Sequence, residues 1–125
     1  MQKRGLLMAP TVVQISFKLN MSGKDYAQAI TPLAQVVADV AGLQWKIWLL
    51  NESTREAGGI YLFEDEHAAN AFLSGPLIAQ LTNAPSIADV CAAQFNVLST
   101  LTSITRGPVT GRSGPEPGAA SNVTL

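Results

Sequence analysis

Apolar and polar residues alternate from Thr11 to Leu19, with Val13, Ile15, Phe17 and Leu19 on one side and Gln14, Ser16 and Lys18 on the other. That two-residue period predicts a half-buried strand. Asn20 to Gly23 supply turn and N-cap chemistry, after which Tyr26, Ile30, Leu33, Val37 and Val40 recur at spacings of three and four. The stripe predicts an amphipathic helix ending at Ala41-Gly42, kinked where Pro32 removes a backbone donor. Leu43 to Leu50 and Ala57 to Phe63 read as two strands of a hairpin, joined by the polar stretch Asn51 to Glu56. Glu64-Asp65-Glu66 opens a second helix, which carboxylates favour at the positive end of its dipole. Ala68, Phe72 and Leu73 continue its apolar face, Gly75-Pro76 breaks it, and Leu77 to Leu81 restart a turn or two. A last strand is expected from about Ile87 to Leu98, with Leu101 and Ile104 covering an edge.

The order β-α-β-β-α-β defines an α+β, ferredoxin-like domain, with two helices on one face of a four-stranded antiparallel sheet. Pairing the hairpin about a turn centred between Thr54 and Arg55 sorts its residues into two faces. Leu43, Trp45, Ile47, Leu49, Ile60 and Leu62 suit the helices. The other face, with Gln44, Lys46, Trp48, Leu50, Gly59, Tyr61 and Phe63, is too aromatic for a solvated sheet. A second copy of the same sheet is the economical cover, so a homodimer is expected.

Length and composition bound the organisation. The chain has 125 residues, 47% of them hydrophobic, which fits one domain over residues 11–105 between a basic leader, 1–10, and a Gly- and Pro-rich tail, 106–125, expected to be disordered. Lys3-Arg4 and the apolar residues after them mimic a signal peptide, but Pro10 interrupts the run and no small-x-small site follows. Asn122-Val123-Thr124 matches a glycosylation sequon that a chain without secretion would not use. A formal net charge of −1 gives no electrostatic case for nucleic acid or an anionic membrane, and no apolar run is long enough to cross a bilayer. The single cysteine, Cys91, cannot close an intramolecular disulfide; it reads as a small buried apolar residue, and a reducing cytoplasm is the simplest home.

Gly42 to Trp48 (GLQWKIW) and Glu56 to Glu66 (EAGGIYLFEDE), together with Gln14, Asn20, Pro32-Leu33-Ala34 and Phe95-Asn96-Val97, resemble the YdhR-type mono-oxygenase family from Val13 to about Ile104. The resemblance implies a dimeric α+β barrel, in which two ferredoxin-like sheets face each other around a pocket. It also implies similarity to cofactor-independent enzymes that oxidise polycyclic phenols. Ser16 departs from the pattern, standing where a histidine is expected in the best-known relative.

Candidate chemistry is sparse. His67 is the sole histidine and Glu64, Asp65 and Glu66 splay around a helix start, so no metal site is expected. His67 reads as an exposed first-turn histidine rather than as a haem ligand of the kind that haem-degrading members of the fold would suggest by analogy. Hydrolytic triads lack a second histidine and a nucleophile elbow. Gly58-Gly59 precedes no helix, so it reads as a bulge or close backbone approach rather than a phosphate loop. What remains is Gln14, Ser16, Lys46, Trp48, Tyr61 and Phe63. Trp48, Tyr61 and Phe63 either wall an aromatic ligand pocket or fill the dimer core. Lys46 either stabilises a phenolate and moves its proton, with Tyr61 as a second catalytic group, or pairs with Glu52 or Glu64 at the surface. Gln14 and Ser16 would orient polar atoms of a ligand. Taken with the resemblance, which implies it, the leading expectation is a mono-oxygenase that oxidises an electron-rich phenolic or polycyclic aromatic small molecule with dioxygen and needs no cofactor; the residues permit this chemistry. A non-catalytic dimeric binder of small aromatic compounds, or a proton-transfer isomerase in the same pocket, is the alternative.

Overall fold

In the computed structural model, which describes residues 9–109, the elements follow the expected order. They are β1 (Thr11–Leu19), α1 (Gly23–Ile30), a 3-10 turn (Thr31–Leu33), α2 (Ala34–Ala38), β2 (Leu43–Asn51), β3 (Glu56–Phe63), α3 (Glu66–Leu73), α4 (Pro76–Asn83), β4 (Ile87–Asn96) and α5 (Ser99–Ile104). The sheet is antiparallel, ordered β2-β3-β1-β4, as a ferredoxin-like β-α-β-β-α-β chain requires.

Local chemistry sets the boundaries. Ser22 Oγ accepts from the Asp25 N–H at 3.1 Å to start α1, and Asp65 Oδ1 accepts from the Ala68 N–H at 2.8 Å to start α3. The kink expected at Pro32 is the 3-10 turn between α1 and α2, and Pro76 opens α4 where its missing donor costs nothing. Gly42, at φ +80°, takes the left-handed conformation that ends the first helical run, and its carbonyl accepts from the Glu64 N–H at 2.8 Å.

The core lies between the helices and one face of the sheet: Val13, Ile15, Phe17, Leu19, Ala57, Tyr61, Phe63, Ala69 and Phe72. This inverts the face assignment drawn from the hairpin. The partition itself holds, because the observed pairs Lys46–Tyr61 and Ile47–Ile60 keep even β2 positions with odd β3 positions, although Asn51 and Glu56 close a turn centred one residue earlier than expected. What decides the direction is β1. Its core residues Val13 and Ile15 stand opposite Tyr61 and Gly59, so the Lys46, Trp48, Tyr61 and Phe63 face meets the helices. Trp45, Ile47, Leu49, Ile60 and Leu62 belong to the open face. A register shift between Leu43 and Trp45 carries Leu43 to the helix side, where it packs on the core.

Cys91 is exposed, not buried: it stands opposite Ser16 on the open face, which none of the described elements covers at that point. Leu101 and Ile104 are also exposed, and Leu101 shares an open-face groove with Val12, Trp45 and Phe95. The packed chain continues past Arg106, since Trp45 Nε1 donates to the Pro108 carbonyl at 2.8 Å and Val109 is buried. Most of the leader, residues 1–8, and the rest of the tail, 110–125 with its sequon, lie outside the described residues. Among the described residues no helix is long and apolar enough to cross a membrane.

Candidate functional site

A cavity of about 330 Å³ opens between the sheet and the helices. Phe17, Lys46, Trp48 and Tyr61 form its floor, Tyr26, Ile30, Leu33 and Val37 one wall, and Phe72, Leu77, Ile78 and Leu81 the other. The kinked first helix and the broken second one thus have a common use: each bends around the space rather than filling it.

Among the described residues, Lys46 is the one charged side chain lining it. Its Nζ lies 3.3 Å from the centre of the Trp48 ring and 4.5 Å from that of Tyr61, so the ammonium is held by aromatic faces. Its contacts are these rings rather than a surface carboxylate, whereas Lys18, on β1, pairs with Glu56 at 3.4 Å. Burial lowers the Lys46 pKa from 10.5 to about 8, because aromatic faces replace only part of the lost hydration. Gly59 makes this placement possible. A β-carbon there would sit 2.5 Å from Lys46 Cε, so the lysine stem lies across β3 where a side chain is missing. At Gly58 a β-carbon would overlap the Ile15 carbonyl, the close backbone approach expected of this pair.

Tyr61 is 6% exposed and stacks beside Phe63, with ring centres 6.2 Å apart, and against Phe72 at 4.9 Å. Its hydroxyl has no hydrogen-bond partner among the described residues. Burial pushes its pKa far above the ordinary phenol value, and the charge of a nearby Tyr26 phenolate would push it further. Tyr26, on α1, is raised by burial as well and packs edge-on to Phe17 at 6.0 Å. Both phenols therefore stay protonated near neutrality and can only donate to, or accept from, a ligand as hydroxyls.

The six candidates do not share one site. Lys46, Trp48 and Tyr61 line the cavity, and Phe63 lies behind them, fully buried against Tyr61 and Phe72 at 5.3 Å from the latter. Gln14 and Ser16 are exposed on the opposite face, opposite Ile60 and Gly58, and do not reach the cavity. Alternation along β1 forces this, because Val13, Ile15 and Phe17 occupy the core side. Tyr26 also lines the cavity, although its spacing predicts only a core stripe; the signal for it is a phenol among aliphatic residues, whose hydroxyl needs a partner when buried. His67 is exposed on the first turn of α3, outside the cavity lining, and among the described residues no three His, Cys, Asp or Glu side chains gather as a metal site would require.

The ferredoxin-like sheet thus carries, under its helices, an apolar cavity lined by one lysine and two phenols. The chain belongs to the YdhR family: the family model described as "Putative mono-oxygenase ydhR" matches residues 12–108. A comparison with curated proteins finds no match. Among solved structures, the chain is similar to a protein of unknown function from Nitrosomonas europaea, at 16% identity and a TM-score of 0.59 over 74% of this chain and 92% of that one. It is similar to a variant of SnoaB, a cofactor-independent oxygenase from Streptomyces nogalater, at 13% identity and a TM-score of 0.58 over 72% and 94%. A dimeric ferredoxin-like protein of unknown function from Thermobifida fusca matches at 20% identity and a TM-score of 0.55 over 73% and 94%. At these identities the likeness is one of fold.

Proposed function

We propose that the protein is a cofactor-independent mono-oxygenase that oxidises an electron-rich phenolic small molecule in the cavity beneath its helices. The observation that carries this reading is a lysine ammonium and a buried tyrosine hydroxyl brought into an apolar space, neither with a hydrogen-bond or ion-pair partner among the described residues. Unmatched polar groups in such a place are costly unless a ligand completes them.

The chemistry asks little of the protein. With its pKa near 8, a fraction of Lys46 is the free amine at neutral pH and can take the proton of a phenol. The resulting ammonium then faces the phenolate, Tyr61 donates to the same or a neighbouring oxygen, and the indole of Trp48 offers a face for stacking. An anion in a water-poor cavity is a good electron donor. In an anthrone-type substrate, a ring methylene supplies all four electrons that dioxygen accepts: one oxygen atom becomes the new carbonyl, and the other leaves as water with the two methylene hydrogens. No outside reductant is needed.

The family and the SnoaB-like fold support this reading, as does the dimeric relative for a homodimer. A second copy covers the open sheet face, and one unpaired cysteine suits a cytoplasmic protein. An oxygen electrode with a panel of hydroquinones and anthrones tests the activity, with tryptophan quenching read alongside. Lys46→Met should slow turnover more than it weakens binding, and Trp48→Ala should chiefly weaken binding. Since the amine must be free, kcat/KM should rise with pH and level off above about 8. Quenching without oxygen uptake across the panel would favour a binding protein, and product formation without oxygen would favour an isomerase.

A further inference from the structure

A second cavity of about 300 Å³ adjoins the first, over the outer end of edge strand β2. The two share Tyr26, Ile30 and Trp48, and the second adds Ala27, Thr31, Ala34, Leu49 and Leu50. None of the added residues is charged, and the Thr31 hydroxyl is already committed to the Ala27 carbonyl at 2.7 Å. The charge of the pair is thus on one side: Lys46 and Tyr61 line only the first cavity, while the second is lined mostly by aliphatic and aromatic side chains, with Thr31 and the shared Tyr26 as its hydroxyl-bearing residues.

The geometry points to a ligand that spans both cavities, a phenol head beside Lys46 and Tyr61 with an apolar extension passing Trp48 and Tyr26 into the groove along α1 and α2. The inference rests on the proposed reading for the head group, but the groove makes its own claim about length. An apolar cavity of about 150 Å³ holds one benzene ring. By that measure the first cavity takes a two-ring ligand, and anything longer must enter the second space or leave its end in water. Because β2 is the edge of the sheet, no further strand among the described residues closes that side. A fused-ring phenol and an alkyl-tailed phenol share this chemistry, and they can be told apart by experiment.

The test is equilibrium binding, by tryptophan quenching and calorimetry, of 4-ethylphenol, 4-octylphenol, 2-naphthol and 2-hydroxyanthracene to the full chain and to Ala34→Trp, which fills only the groove. Wild type should bind a long probe at least tenfold more tightly than its short counterpart. Ala34→Trp should remove most of that gain while leaving 4-ethylphenol and 2-naphthol within about twofold. Loss of the gain for 2-hydroxyanthracene alone assigns the groove to fused rings, and for 4-octylphenol alone to alkyl tails; either supports the spanning ligand. Ala27→Phe, which enters the groove from α1, should repeat the result if Ala34→Trp disturbs folding by circular dichroism. Equal loss for short and long probes, no loss for either long probe, or no length dependence in wild type would overturn the proposal. Length-dependent binding lost in Ala34→Trp, in a protein that consumes no oxygen, would retain the groove while removing the oxygenase reading.

Discussion

Lys46 is where burial, aromatic contact and acid–base chemistry meet, and its titration makes a prediction about stability. In the fold its pKa is about 8, against 10.5 for the ordinary side chain, so between those values the unfolded chain holds the proton that the folded chain has lost. Stability therefore rises with pH across that window. Tyr61 and Tyr26 act in the other direction, because their raised pKa values mean that only the unfolded chain ionises just above pH 10, and stability falls there. Urea titrations from pH 7 to 11 should show a maximum at roughly pH 10, and Lys46→Met should abolish the rising limb while keeping the falling one. Gly59→Ala tests the placement itself. The added methyl would land 2.5 Å from Lys46 Cε and 3.0 Å from the Ile47 carbonyl, so the lysine must swing toward water. In a Trp45→Phe background, the fluorescence of Trp48 should titrate near pH 8 before the change and about a unit or more higher after it. A midpoint that stays put would show that Gly59 does not set the position of Lys46.

At the level of elements, the cavity depends on short helices that stop and restart, and their caps carry much of the definition. Asp65 both caps α3 and places a carboxylate at its positive end, and α3 brings Phe72 onto Tyr61 and Phe63. Asp65→Ala should lower the unfolding free energy by about 1–2 kcal/mol, read as a shift in the urea midpoint at constant slope. These elements were legible in the sequence because their signals are local: alternation in β1, the three-and-four spacing of Tyr26 to Val40, Pro32, Gly42 and Gly75-Pro76. Which way the hairpin faces was not legible, since both its faces are apolar. The answer lies in the pairing of Val13 with Tyr61, residues far apart in sequence, and the polar side of β1 was the only clue to it. Cys91 was misplaced for a related reason. Asp89, at φ 54°, sits where the β1–β4 register shifts, and such a bulge changes which face the later residues of the strand occupy.

For the whole molecule, the inverted sheet moves the expected dimer contact to different residues while strengthening the case for one. The open face carries Val12, Ile47, Leu49, Ile60, Ala93 and Phe95, and in the single chain Ile47 and Phe95 are 50% and 52% exposed. Apolar side chains of that size, clustered on a sheet face, mark an association surface. A charge at Phe63 would not probe it, because Phe63 lies inside the protomer and an unpaired charge there should prevent folding altogether. Ile47→Glu is the informative change. Wild-type protein should sediment at micromolar concentration with twice the 13.2 kDa mass of the chain, and Ile47→Glu as a folded monomer with a lower melting temperature, because mass action no longer adds to its stability. Lys46 and Trp48 point away from that face, so the monomer should still bind 4-ethylphenol. A wild-type monomer that Ile47→Glu leaves unchanged would refute assembly through this face. Loss of ligand binding on dissociation would instead show that the partner holds the sheet, and with it Lys46, in the shape the cavity requires.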